Sequence, residues 1–287
     1  MDILGKRKIW YSLSLFIIVI GLIFIALGGL NFGNDFLGGS IMEYSFDTPV
    51  SNEEIRGILV DLGYEDTVSV VQVQEGELQG VLIRMQHIDT DEALEIENAI
   101  RAEFPSTAIM RNEFIGPTIG EELRRSALWA MLIASIAIVF YISIRFEFRF
   151  AIVAIITLLH DVLITLGLFA ILGAEINTPF VAALLTIIGY SINDTIVIFD
   201  RIRENMGLMH RKPFIELANT AVVDTLPRSI NTSMTTIIVI LAMFLFGPTA
   251  IKPFMLALFI GMATGTYSSI FIASPLLITW QEKIASK

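Results

Sequence analysis

Cysteine is absent from this 287-residue chain, and charge is scarce. The first absence excludes disulfides and thiolate metal sites, and leaves the redox character of the compartment unread. The second bears on the class of protein. Only 17% of residues are Asp, Glu, Lys or Arg, against about 25% in ordinary soluble domains. The three histidines, His87, His160 and His210, stand apart without metal-ligand spacing. No glycine-rich phosphate loop, Walker-type motif or Ser-His-Asp candidate occurs. A hydrolytic site, a metal centre and a cofactor are therefore not expected. The net charge of −10 disfavours nucleic acid as a partner.

Apolar sequence is what the chain has in excess. Hydrophobic residues make up 54% of it, and the mean hydropathy is +0.71. Six runs, at 11–30, 126–144, 150–173, 178–199, 229–247 and 253–280, carry little or no charge. Each meets the roughly 20 residues needed to cross about 30 Å of hydrocarbon. The pattern predicts an α-helical polytopic membrane protein with six transmembrane helices. Lys6-Arg7-Lys8 before the first run mimics the start of a signal peptide. The run is too long for that, and no clear A-x-A site follows, so it reads as an uncleaved anchor.

Basic residues orient the chain. With the N-terminus inside, the inner segments hold Lys6, Arg7, Lys8, Arg145, Arg149, Arg201, Arg203, Arg211, Lys212, Arg228, Lys283 and Lys287. The short outer loops near 174–177 and 248–252 hold only Lys252. This distribution predicts both termini in the cytoplasm. Residues 1–30 are then a cytoplasmic tip and first helix, and 31–125 an external domain. Residues 126–287 form a five-helix membrane domain with a cytoplasmic loop at 200–228. Trp10, Trp129 and Trp280 fall near membrane boundaries, as aromatic belts do.

Residues 31–125 contain 19 acidic and 6 basic residues. Residues 40–47 alternate as a strand. Ser51 is placed to cap a helix to about Leu62, with Glu54 completing a capping box. Val68–Gln74 and Leu78–Ile88 read as strands joined by a turn at Glu75-Gly76-Glu77. Asp89 or Thr90 opens a second helix to Phe104, and Thr107–Phe114 is a last strand. The order βαββαβ predicts a small α+β, ferredoxin-like unit. Its acidic surface is explained by solubility, with capture of basic or unfolded polypeptide as the functional alternative. Inside, Pro213 is placed to start a short amphipathic helix before the fifth membrane helix, which is expected after Arg228.

The chemistry lies inside the membrane runs. Asp194 sits in the fourth, where an acid at the centre costs roughly 2.5–3.5 kcal/mol on insertion scales. In the third, Thr157, Asp161 and Thr165 are four residues apart and make one polar stripe beside His160. Tyr190 and Ser191 are expected on the face of Asp194. Arg228, Thr232, Thr235 and Thr236 share a face of the fifth helix. Such stripes must face one another in lipid. Read functionally, Asp194 titrates, Arg228 favours its charged form, and Asp161 is a relay or second carrier. Desolvation and a nearby cation push a carboxyl in opposite directions, which couples protonation to conformation. Read structurally, such contacts only hold helices together, at about 0.6 kcal/mol each. The residues leave proton and sodium open as the coupling ion. In the sixth helix Gly261, Gly265 and Ser269 make a small-residue seam, either internal or facing a partner.

Five motifs in order carry a resemblance. They are Asp35-Phe36-Leu37-Gly38-Gly39-Ser40, Phe114-Ile115-Gly116-Pro117, His160-Asp161-Val162, Gly189 to Arg201, and Arg228-Ser229-Ile230-Asn231-Thr232-Ser233. Together they resemble the SecD–SecF family of protein-export membrane subunits, related to proton-driven exporters of the resistance-nodulation-division type. The resemblance covers nearly the whole chain. It implies a non-enzymatic accessory subunit of the Sec translocase in the cytoplasmic membrane, promoting late preprotein translocation with the proton-motive force. It implies that Asp194 and Arg228 occupy the family's proton-transport positions, and that Asp35, Phe36, Gly38 and Gly39 form its motif after the first helix. Implied partners are a SecD-like subunit, a SecYEG-type channel, a YajC-like subunit, preproteins and the lipid bilayer. Half of a small-molecule exporter and a passive scaffold for the partner subunit are the competing readings.

Overall fold

The computed structural model describes residues 2–64, 68–75, 78–208, 213–248 and 251–285. It divides into two compact units, Phe32–Leu128 and the combination of Met1–Asn31 with Trp129–Lys287.

The smaller unit follows the first helix, α1 (Arg7–Gly28). It opens with a four-residue helix, α2 (Asn34–Leu37), and continues β1 (Gly39–Phe46), α3 (Asn52–Asp61), β2 (Ser69–Glu75), β3 (Leu78–Met85), α4 (Thr90–Glu103) and β4 (Ala108–Ile115). The four strands form one antiparallel sheet in the order β2-β3-β1-β4. This is the expected ferredoxin-like arrangement. Both longer helices start at reciprocal caps. Ser51 accepts from the Glu54 amide, and the Glu54 carboxylate accepts from the Ser51 amide. Asp89 and Glu92 repeat the device. Alternation then decides which face of the sheet is covered. Met42, Tyr44 and Phe46 of β1 and Val81 and Ile83 of β3 pack with Ile55 and Leu59 of α3 and Ile96 and Ile100 of α4. Tyr44 is fully buried, its hydroxyl bonded to Met42 Sδ, and burial pushes its phenol up to about 12. Of the turn expected at Glu75 to Glu77, Gly76 and Glu77 lie outside the described residues.

The larger unit contains α1, α6 (Phe148–Leu172), α7 (Thr178–Leu208), α8 (Phe214–Phe246), α9 (Lys252–Ser268) and α10 (Ser274–Ala285). The helix α5 (Pro117–Arg145) begins in the smaller unit and ends in the larger. A five-residue π-helical stretch, Ser269–Ala273, joins α9 to α10. Among the described residues, six helices, counting α9 to α10 as one, are long and apolar enough to cross a membrane. The spans α6, α7 and α9–α10 are half-buried and form the centre, while α1, α5 and α8 are largely exposed.

Three helices outrun their hydrophobic segments, because the backbone ladder continues wherever polar residues are good helix formers. The second span starts at Pro117 rather than 126, with proline at the first helical position where its missing N–H costs nothing. The fourth reaches Leu208 rather than 199. The short helix expected from Pro213 and the fifth span expected after Arg228 are one helix, with Pro227 inside it. Pro227 removes one ladder bond. Leu217, Ala218, Ala221 and Val222 before it, and Ser229, Ser233 and Ile240 after it, are buried on either side, which holds both halves in line. His210, Arg211, Lys212 and Lys287, named above for their charge or chemistry, lie outside the described residues.

Small residues set how closely the spans approach. A methyl placed on Gly21 of α1 would lie 2.6 Å from the Cα of Gly167 in α6. These two helices touch backbone to backbone there. On α9, a methyl on Gly261 would meet Ile187 and one on Gly265 would meet Ser191, both in α7. The small-residue seam is therefore internal.

Candidate functional site

The polar residues of α6, α7 and α9 converge in the centre of the larger unit. Asp161 is 1% exposed. Its Oδ1 bonds His160 Nδ1 at 2.9 Å, and its Oδ2 accepts from Ser191 Oγ of α7 at 2.5 Å and Ser268 Oγ of α9 at 2.9 Å. A carboxyl with this shell is fully engaged on three helices. Ser268 was not legible as part of it. In a regular helix Ser268 and Ser269 point about 100° apart, and both are used. Ser269, the first residue of the π stretch, bonds Thr195 Oγ at 2.8 Å and donates to the Ser191 carbonyl at 3.3 Å. Ser274 donates to the Ser269 carbonyl across the widened turn. Such π-helical insertions are frequent at functional sites.

Thr157 and Thr165 are buried beside Asp161, as their spacing requires. Their hydroxyls donate to Val153 and Asp161 carbonyls of their own helix. Among the described residues, they line the stripe without a hydrogen bond to another helix.

Asp194 forms a second cluster, distinct from the first. It lies one turn beyond Ser191 on α7, and Ser191 serves Asp161 instead. Asp194 Oδ1 accepts from Ser229 Oγ of α8 at 2.6 Å. Its Oδ2 is buried and has no hydrogen-bond partner among the described residues. Arg228, adjacent to Ser229 and exposed, interacts with this carboxylate through space. Farther along the same seam, Tyr190 donates to Ser233 Oγ at 3.1 Å, and Thr266 of α9 donates to it at 2.6 Å.

The α8 stripe needs correction. Thr232 and Thr235 are exposed, and the hydroxyls of Thr235 and Thr236 donate to the Thr232 carbonyl. The face that meets α7 and α9 is that of Ser229 and Ser233. Hydroxyls satisfied by their own helix tolerate an outward position, whereas a membrane carboxyl requires an inward partner. The carboxylate on α7 thus selects the serine face. Outside this seam, Asp200 pairs with Arg145 and Arg203, and Arg201 with Glu204 and Asp224. These exposed pairs contribute little stability, typically about 0–1 kcal/mol.

In the smaller unit two motifs meet. Asp35 lies in the first turn of α2, and Phe36 is buried. Gly38 and Gly39 follow at φ +74° and +140°, backbone that side-chain-bearing residues rarely adopt. A methyl on Gly38 would stand 3.1 Å from Pro117 Cα, and one on Gly39 2.7 Å from the Met85 carbonyl. Gly39 and Ser40 pair with Ile115 and Phe114 in the sheet. The glycines therefore let the segment after α1 lie against the strand that leads into α5.

The sequence matches two family models. Residues 95–283 match "Protein export membrane protein SecD/SecF, C-terminal" and residues 23–50 match "SecD/SecF GG Motif". Among similar proteins, the protein translocase subunit SecF of Thermobaculum terrenum is 42% identical over 99% of this chain and 95% of its own. That of Magnetococcus marinus is 43% identical over 96% and 91%. The crystal structure of SecDF, a translocon-associated membrane protein from Thermus thermophilus, superposes with a TM-score of 0.89 at 35% identity. That likeness covers 98% of this chain and 39% of the longer one. A crystal structure of SecDF in a super-membrane-facing form gives 0.73, again over 39% of its length. With six helices among the described residues long and apolar enough to cross a membrane, and with this kinship, the chain is a multi-pass protein-transport component, and it belongs to the SecD/SecF family of protein-export membrane proteins.

Proposed function

We propose that the chain is the smaller half of a two-subunit export motor that uses the proton-motive force to drive late preprotein translocation. The observation that carries this reading is Asp194: a carboxyl in a membrane span, one oxygen held by Ser229 and the other unpartnered among the described residues, with Arg228 acting on it through space. A carboxyl so placed has one stable anchor and one oxygen ready for a proton. A shift of Arg228 or Ser229 changes the balance between charged and neutral forms. Conversely, a change of protonation changes which arrangement of α7 and α8 is favoured. One charge crossing 100 mV releases about 2.3 kcal/mol, enough to bias a two-state element more than tenfold.

The partner is a SecD-like chain. Support comes from the longer SecDF protein of Thermus thermophilus, to which this chain aligns at 38% identity over 35% of that protein's length. Further partners are a SecYEG-type channel, a YajC-like subunit and the emerging preprotein. The distribution of Lys and Arg supports a cytoplasmic-membrane location with both termini inside and residues 31–125 outside. The motor works without hydrolytic chemistry of its own.

The test is export by the assembled complex in sealed inverted vesicles, with and without an imposed proton gradient. Asp194→Asn keeps an acceptor for Ser229 and removes the titration. Loss of the gradient-dependent component of late export is expected from a complex that still assembles. Unchanged export by the variant makes the carboxyl structural and the chain a scaffold.

A further inference from the structure

Helices α1 and α6 touch at Gly21 and Gly167. On the N-terminal side of that contact, along both helices, a groove of about 410 Å³ opens between them. Leu15 and Ile18 of α1 and Ile156 and Leu163 of α6 give most of its wall. Tyr11 and Ser14 also line it, but their hydroxyls are bonded to Thr279 and Tyr267. The ring of His160 is bonded through Nδ1 to Asp161. The groove therefore offers an occupant almost entirely carbon surface.

Its N-terminal mouth differs. Lys8 precedes Tyr11 by three residues and Leu15 by seven, and Arg149 precedes Ile156 by seven. These spacings return to the same face of a helix, so both cations stand on the groove-lining sides of α1 and α6. Lys8 is exposed and Arg149 half-buried. Arg149 donates to Gln281, and neither cation forms an ion pair among the described residues. Arg7, next to Lys8, is instead taken up by Glu282.

A groove of this kind selects its occupant by width. A membrane helix, about 10 Å across, would displace roughly 800 Å³ over the two turns that the groove runs, twice the space present. A single hydrocarbon chain is narrower and matches the wall. Left empty, the groove would cost its lining side chains their dispersion contacts. Basic pockets between membrane helices take up anionic lipid head groups, and a chain lying in this groove brings its head group to the end where Lys8 and Arg149 stand.

We propose that the groove between α1 and α6 binds one acyl chain of an anionic phospholipid, with the lipid phosphate held by Lys8 and Arg149. The site requires only that α1 and α6 span the bilayer, and it stands apart from the proton-coupled reading of Asp194.

The test uses the complex with its SecD-like partner in nanodiscs of phosphatidylcholine. These carry a small fraction of phosphatidylglycerol with a diazirine on its acyl chain, or the same fraction of phosphatidylcholine so labelled. Irradiation followed by mass spectrometry maps the labelled peptides. Phosphatidylglycerol should label 11–18 and 156–163 on the order of tenfold more than phosphatidylcholine, because two cations favour the anion. The two lipids should label the outward-facing Phe140 and Ile144 of α5 alike. Lys8→Gln combined with Arg149→Gln should bring the groove to the same parity in a complex that still co-purifies with its partner. Lys6→Gln, at a position on another side of α1, should leave the preference intact. Equal labelling of the native groove by the two lipids means bulk lipid only and overturns the proposal. A preference that survives the double variant places the phosphate elsewhere and overturns it too. Absence of groove labelling, with cross-links to the SecD-like chain, means that protein covers the groove and overturns it as well.

Discussion

In the unit Phe32–Leu128 the buried polar side chains are Ser40, Ser45 and Thr107 among the described residues. The helical unit buries His160, Asp161, Asn205 and a dozen Ser and Thr side chains, while Phe140, Ile144, Leu245 and Phe246 face outward. The difference follows from the solvent of each. In water, apolar burial drives folding at about 25 cal/mol per Å², so the sheet and its two helices enclose aliphatic side chains. In lipid an outward Phe loses nothing, and the interior is where polar groups find partners. The smaller unit therefore rests on what it hides from water. The helical unit arranges its polar groups inside, where Asp161 and Asp194 take hydroxyl partners from neighbouring helices.

The largest effect should come from a truncation in the smaller unit. Leu59 of α3 is fully buried in the cluster with Tyr44, Ile83 and Ile96. Leu59→Ala should destabilise that unit by about 2–5 kcal/mol, read as faster hydrogen exchange in the amides of β1, β3 and α4. The matching truncation on the helical unit, Phe140→Ala at a position 67% exposed, should stay within about 0.5 kcal/mol. Equal effects in the two units would break the contrast.

A polar deletion in the helical unit should have a smaller effect. Ser268→Ala removes one of two hydroxyl donors to Asp161 Oδ2 and leaves Ser191 in place. Polar contacts between membrane helices contribute about 0.6 kcal/mol on average and up to about 1.7, because the unfolded chain in lipid also finds partners. Denaturation from mixed micelles should place this variant near the upper figure, since the acceptor is a buried carboxyl. A change beyond about 3 kcal/mol, the range for a group stripped of every partner, would mean that Ser191 alone cannot hold the site.

How much of this was legible differs between the two units for the same reason. Period-two alternation and capping residues mark β1, α3 and α4 to within a residue or two, because those signals are local. Hydropathy found six spans and Asp194 and Asp161, since charge in an apolar run is visible without a structure. Which face of α8 turns inward was not legible. Thr232 and Ser233 are adjacent, both hydroxylic, and only the position of Asp194 across the interface separates them. The role of Ser268 depended on packing against α6, and the Gly21–Gly167 contact joins residues far apart in the chain. Helix ends at Pro117 and Leu208 were missed because hydropathy ends before the hydrogen-bond ladder does.

The smallest effect sharpens the contrast from the solvent side. Glu54 is exposed, and its carboxylate accepts from the Ser51 amide at 2.8 Å and the Ser51 hydroxyl at 2.9 Å. These bonds hold its carboxyl below the usual glutamate value. Because the folded value is the lower one, the capping contribution is complete above the unfolded value and is lost as pH falls through the folded one. Hydrogen exchange of the first turn of α3 should therefore quicken on acidification below about pH 4.5 relative to a reference helix. Glu54→Gln preserves the capping geometry without a titrating group, and its exchange should be nearly flat over the same range. A native chain as flat as the variant would show that the cap does not depend on charge. In the helical unit the corresponding carboxyl, Asp194, is held by Ser229 of a different helix, so on the proposed reading its protonation bears on how α7 and α8 meet rather than on the fraying of one turn.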